Sequence, residues 1–182
     1  MIYYIMEEDT GLDNSIEIES IPPELSKRAI LMSEYQYLDK KSLEIFLSKN
    51  SGEVRPDLCD YLIPLFSQNL KKVMDLNGVD NIFYKPIYLV DPRIQTKDLY
   101  WLAVPMAIDC VDWDNSRLEE GISLPKLIKF SIIESKVGNY KIFKLKNVKN
   151  QMFVITRELK EEIEKHKLQG IKFTQVEAYE GF

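Results

Sequence analysis

The stretch VITRELKEEIEKHKLQGIKFTQVE, residues 154–177, leaves little freedom of local structure. An apolar run meets Thr156, whose hydroxyl can accept a bond from an otherwise unpaired backbone N–H and so start a helix. Ile155, Leu159 and Ile163 recur every four residues and define one buried face. Glu158, Glu161 and Glu162 come early, and Lys165, His166 and Lys167 come late, the order that suits the helix dipole. Glu161 and Lys165 form a favourable i, i+4 pair. Gly170 ends the helix, and Ile171, Phe173 and Val176 begin a strand.

A similar unit lies near the middle of the chain, IPLFSQNLKKVMDLNGVDNIFYKPI, residues 63–87. Residues 58–66 read as apolar and extended, and Ser67 supplies the cap. Leu70, Val73 and Met74 form the apolar stripe, Asn77-Gly78 the left-handed stop, and residues 82–90 the next strand. Pro86 in that strand predicts a sheet edge or a bulge. The two units share a cap hydroxyl, Leu-Lys three and four residues later, and a glycine followed by Val79 or Ile171. Two copies do not make a solenoid.

Around these units the pattern is mixed. Residues 2–6 read as a strand, and IEIES, residues 16–20, as a half-exposed strand stopped by Pro22-Pro23. Leu43, Phe46 and Leu47 have helical spacing, which predicts a short helix over 42–48. The most hydrophobic stretch, LYWLAVPMAIDCV at 99–111, predicts a central strand broken or bent at Pro105, followed by the polar loop DWDNSRLEEG. Residues 126–134 and 140–145 read as strands joined by a hairpin turn at Val137-Gly138-Asn139. A chain of 182 residues suits one domain. The expected class is α+β, a single domain with a mixed, largely antiparallel sheet and a few short helices.

Charge narrows the function. With 24 basic and 29 acidic residues the net charge is −5, which disfavours non-specific nucleic-acid binding. Residues 1–24 carry seven acids and no base, whereas residues 126–150 carry seven lysines and one acid, Glu134. Cys59 and Cys110 form no CxxC pair and read as buried thiols in a reduced compartment. The N-terminus lacks a basic region before its short apolar run, and no stretch approaches the roughly 20 apolar residues of a membrane span. The expected location is cytoplasmic.

Candidate chemistry is sparse. The one histidine, His166, closes a charged helix, so no two-histidine metal motif exists. No serine stands in a GxSxG elbow and no glycine-rich phosphate loop is present. A Cys-His pair through Cys59 or Cys110 stays open. Read as a calcium loop from Asp112, the chain has Asp114 and Ser116 in place but Arg117 where glycine is needed and Ser123 where glutamate is needed. No cofactor or metal is expected. Asp109 and Asp112 leave open a small enzyme built on two carboxylates. Phe130, Tyr140 and Phe143 among the lysines leave open a stacking platform for single-stranded nucleic acid.

Three segments carry a resemblance: MFVITRELKEEIEKHKLQGIKFTQVEAY, with Thr156, Leu168, Gly170, Ile171 and Phe173; VRPDLCDYLIPLFSQNLKKVM, with Asp57, Phe66, Ser67 and Leu70; and IDCVDWDNS, with Asp112 and Ser116. In this order the chain resembles the myxobacterial-type immunity proteins of bacterial polymorphic toxin systems, long carried as a domain of unknown function. The likeness covers residues 54–179, with residues 1–53 less recognisable. Thr156 stands where serine is commoner, and the helix is unusually charged. The resemblance implies a protein that is not an enzyme and blocks a cognate toxin by binding it. If the toxin is basic, the acidic N-terminal region with Glu7, or the acidic loop from Asp109 to Glu120, is the expected docking surface. Trp113, flanked by Asp112 and Asp114, has the make-up of an interface anchor.

Overall fold

The computed structural model describes residues 1–119 and 124–181. In chain order the strands are β1 (Tyr3–Glu8), β2 (Leu43–Phe46), β3 (Leu58–Cys59), β4 (Leu65–Ser67), β5 (Ile82–Asp91), β6 (Thr96–Pro105), β7 (Ala107–Ile108), β8 (Arg117–Glu119), β9 (Lys126–Lys129), β10 (Ile142–Leu145), β11 (Phe153–Thr156) and β12 (Ile171–Gln175). The helices are α1 (Lys27–Met32), α2 (Gln68–Leu76), α3 (Glu134–Val137) and α4 (Arg157–Lys165). The class is α+β. Its sheets are mixed and largely antiparallel: two of five strands, ordered β12-β1-β11-β10-β7 and β2-β5-β6-β4-β3, and a β8-β9 ribbon.

Both strand–helix–strand units are present, and each is split by an inserted strand. β1 is antiparallel to both β11 and β12, so Tyr4 faces Ile155 on one side and Gln175 on the other. β6 is antiparallel to both β4 and β5, so Trp101 faces Phe66 and Pro86. The helix in each unit is the crossover that two strands running the same way require. The caps form as their hydroxyls predict: Ser67 Oγ accepts from the Leu70 amide at 3.1 Å, and Thr156 Oγ1 accepts from that of Leu159 at 3.4 Å.

The helices bury the expected faces, Leu70, Val73 and Met74 on α2 and Leu159 and Ile163 on α4. These side chains join Met6, Phe66, Phe153 and Ile155 in a cluster shared by both helices and both sheets. Alternation along the strands sends their neighbours the other way. Tyr3, Ile5, Phe143 and Val154 belong to a second cluster, and Leu65, Leu102, Ile87 and Leu89 to a third.

Several local expectations are corrected. Residues 43–46 form a strand rather than a helix, parallel to β5 from Leu43 opposite Ile87 to Phe46 opposite Val90. Ile45 and Leu47 are buried while Phe46 is 48% exposed, so burial alternates and sheet pairing overrides the helical spacing. Residues 58–66 fold back as a β3–β4 hairpin, with Leu58 opposite Phe66. IEIES contributes only an isolated bridge, Ile18 to Leu47. The hairpin expected around Gly138 is absent: residues 134–137 are helical, β9 pairs with β8, and β10 pairs with β11 and β7. Lys165 pairs with Glu162 rather than Glu161, since i, i+3 neighbours also share a helix face. In the polar loop, residues 117–119 form β8.

Pro105 behaves as predicted. It ends β6, and the chain then crosses to the other sheet as β7, parallel to β10. Asn81 stitches the crossing: its carbonyl accepts from the Met106 amide at 2.9 Å, and its side-chain amide donates to the Ile142 carbonyl at 2.7 Å. Pro86 stands one residue outside the β2 pairing, which begins at Ile87. Among the described residues no helix is long and apolar enough to cross a membrane.

Candidate functional site

The residues predicted to bind a partner fall in two places. Glu7 is half-buried near the end of β1, opposite Lys172, with the carboxylate 3.7 Å from its ammonium. Asp109, Asp112, Trp113 and Asp114 follow β7 at the far edge of the same sheet. β11 and β10 lie between β1 and β7, a lateral separation of about 14 Å at the usual strand spacing.

The Asp112 carboxylate accepts from the Asn115 backbone amide at 3.3 Å and side-chain amide at 2.8 Å. Ser116 Oγ donates to the Asp112 carbonyl and accepts from the Ser131 amide. Asp112 and Ser116 therefore build the turn. They leave Asp109 and Asp114 exposed and Trp113 38% exposed. Glu120 lies outside the described residues. Phe130 and Phe143 belong to the core, so the lysine-rich stretch offers no stacking platform built on them.

A second surface arises where sequence reasoning saw only a strand. The β3–β4 turn, residues 60–64, abuts the end of β1. Glu8 Oε2 accepts from the backbone amides of Asp60 at 2.8 Å and Tyr61 at 3.1 Å, and the Glu8 amide donates to Asp60 Oδ2 at 3.3 Å. Burial, and then the nearby Glu8 charge, push the Asp60 carboxyl up to about 7. The turn is pinned by its backbone while two of its side chains face solvent: Tyr61 is 85% exposed and Leu62 40%, with Ile63 buried beside them.

Hollows flank this turn. One, of about 220 Å³, is lined by Leu31, Leu62, Met152 and Lys144 among others. Lys144 is buried, and its ammonium donates to the carbonyls of Ile30 and Leu31 at 2.9 Å each, satisfying the end of α1. Burial pulls its pKa down to about 8. The other hollow, of about 420 Å³, takes in Glu8, Asp9, Glu17 and Glu19, and among the described residues its lining holds no basic side chain. Among the described residues none of these four carboxylates is in an ion pair.

Cys59 borders the acidic hollow, but burial raises its thiol pKa and disfavours the nucleophilic thiolate. Burial likewise pushes Cys110 up to about 12. His166 caps the exposed end of α4, with Nδ1 2.8 Å from the Glu162 carbonyl. Among the described residues no three His, Cys, Asp or Glu side chains gather as a metal would need. The signal that could have revealed the turn is Pro64, which breaks the apolar run DYLIPLF.

The model of the immunity protein family Imm11 matches residues 7–178, a span holding both split units, the β3–β4 turn and the Asp109–Asp114 segment. None of the curated proteins matches the chain.

Proposed function

This chain belongs to the Imm11 immunity protein family, and on that premise we propose that it neutralises a cognate bacterial toxin by direct binding, in the cytoplasm of the cell that makes the toxin. The observation that carries the reading is the family match over residues 7–178. The protein acts as one domain and without turnover, occluding the toxin by shape and charge. Exposed acids support a basic partner: Asp109 and Asp114 beside Trp113, with Asp112 and Glu7 nearer the fold, and the carboxylates flanking the β3–β4 turn.

The test is a co-expression rescue. The C-terminal domain encoded by the reading frame adjacent to this gene is expressed in a naive bacterium, with and without this protein. Survival together with co-purification is the expected result. Survival without a complex would favour an enzyme that reverses the toxin's product, with Asp109 and Asp112 as its first suspects. Killing in both strains would remove the proposal.

A further inference from the structure

We infer that the β3–β4 turn and its two hollows dock a basic segment of the toxin, which seats an apolar side chain against Leu31 and Leu62 and lays lysine or arginine side chains among Glu8, Asp9, Glu17 and Glu19. The inference rests on the immunity reading and names where and by what chemistry the partner is held.

Three observations converge on this surface. First, the turn exposes apolar side chains that its own fold leaves uncovered. Tyr61 is 85% exposed and Leu62 40%, and Leu31, which lines the same hollow, is 44% exposed. Adjacent exposed apolar side chains beside a concavity mark contact surfaces, and tyrosine is a frequent interface anchor.

Second, the exposure is not looseness. Glu8 fixes the amides of Asp60 and Tyr61, and Asp60 answers on the Glu8 amide. An anchor already held in place loses less freedom on binding.

Third, charge selects the occupant. The acidic hollow shares Tyr61, Leu62 and Ile63 with the apolar one, so an extended segment crossing the turn meets both. The bases at this surface lie on the apolar side: Lys144, held by two carbonyls, and Lys27, exposed on α1. Carboxylates on the other side without ion-pair partners complement cations. The Asp109–Asp114 turn offers a smaller apolar anchor, since Trp113 is 38% exposed against 85% for Tyr61.

The probe is the toxin domain from the adjacent reading frame, titrated onto the full chain. Tyr61→Ala, Leu62→Asp and the double variant Glu17→Lys/Glu19→Lys alter exposed side chains, and unchanged thermal unfolding verifies that each folds. Tyr61→Ala and Leu62→Asp are expected to weaken Kd by about 30-fold or more, as anchors do. The double reversal is expected to slow association roughly tenfold and flatten its salt dependence. Trp113→Ala and Asp114→Lys probe the rival surface, and losses there that exceed those of Tyr61→Ala and Leu62→Asp would overturn the docking site.

Hydrogen exchange on the wild-type complex needs no variant and is expected to protect residues 60–63. Binding unaffected by Tyr61→Ala and Leu62→Asp, or protection at 112–116 instead, overturns the docking site and leaves immunity standing. Failure of the wild-type chain to bind overturns the immunity reading, and the docking site falls with it.

Discussion

Asp57 and Gln169, 112 residues apart, hold each other by two hydrogen bonds: the Asp57 amide donates to the Gln169 carbonyl at 2.8 Å, and the Gln169 amide donates to the Asp57 carboxylate at 2.8 Å. The other carboxylate oxygen accepts from the Ser67 hydroxyl, which itself caps α2. One buried carboxylate thus ties the start of the first split unit's helix to the connection that leaves α4.

Asp57→Ala is expected to destabilise the fold by about 3 kcal/mol, because it strands the Gln169 amide and frees the capping hydroxyl. Asp57→Asn keeps one acceptor and is expected to cost about half as much. Urea unfolding of the two variants measures both. Equal stability of Asp57→Ala and wild type would show that the tie contributes nothing.

Two glycines separate backbone strain from crowding. Gly78 ends α2, whereas Gly170 follows the end of α4 by five residues. Lys167 at φ +51°, not the glycine expected from the sequence, takes the left-handed position after that helix. Gly78 and Gly170 have φ of +66° and +72°; an added Cβ at Gly78 meets nothing within 4 Å, whereas at Gly170 it lies 2.4 Å from the Pro56 Cβ. Gly78→Ala is expected to cost about 1 kcal/mol, the left-handed penalty alone. Gly170→Ala adds an overpacking cost and is expected to reach roughly 3 kcal/mol. Thermal unfolding of both variants checks the order.

Asp60 predicts a slope of stability with pH. Its folded value, about 7, is raised from an ordinary 3.8, so between those values the folded state keeps a proton that the unfolded chain has lost. The contribution is full below the ordinary value and is lost as pH rises through about 7. Relative to Asp60→Asn, wild type is expected to lose on the order of 2 kcal/mol between about pH 4 and pH 7.5, allowing for partial exposure. A difference that does not change with pH would refute the shift.

Lys144 tilts the other way. Burial lowers it from an ordinary 10.5 to about 8, so between these values the unfolded chain binds the extra proton and stability rises with pH. Wild type is expected to gain on the order of 2 kcal/mol over Lys144→Met between about pH 8 and pH 10. Denaturant midpoints of the pair across that range are the measurement, and parallel curves would refute it.

What the sequence made legible was local. Ser67 and Thr156 announce their helices because a cap acts within one turn, and Leu159 and Ile163 announce a face because helical period fixes it. What escaped was settled by distant partners. Leu43 to Phe46 carry helical spacing yet pair with β5 some 44 residues on, as Leu43 opposite Ile87 shows. The acids of residues 1–24 were visible as composition, and part of the expected acidic docking region does line a hollow. That Glu8 would pin Asp60 and Tyr61 was not visible, because nothing local to Glu8 encodes a turn 52 residues away. Trp113 looked like an anchor by its neighbours, while Tyr61, exposed by a hairpin hidden in an apolar run, did not.

The insertion of β1 between β11 and β12 also sets a clock. Tyr3 waits for Thr156, and Met6 waits for Phe173, so β1 finds its neighbours only once residues 153–175, about 150 positions on, are made. Until then Tyr3, Ile5 and Met6 have no sheet to join, and a product stopped before residue 153 keeps them exposed. The fold is therefore expected to close once β11 and β12 are both made rather than build up strand by strand. Chains that stop before these strands become material for proteases rather than partly folded domains.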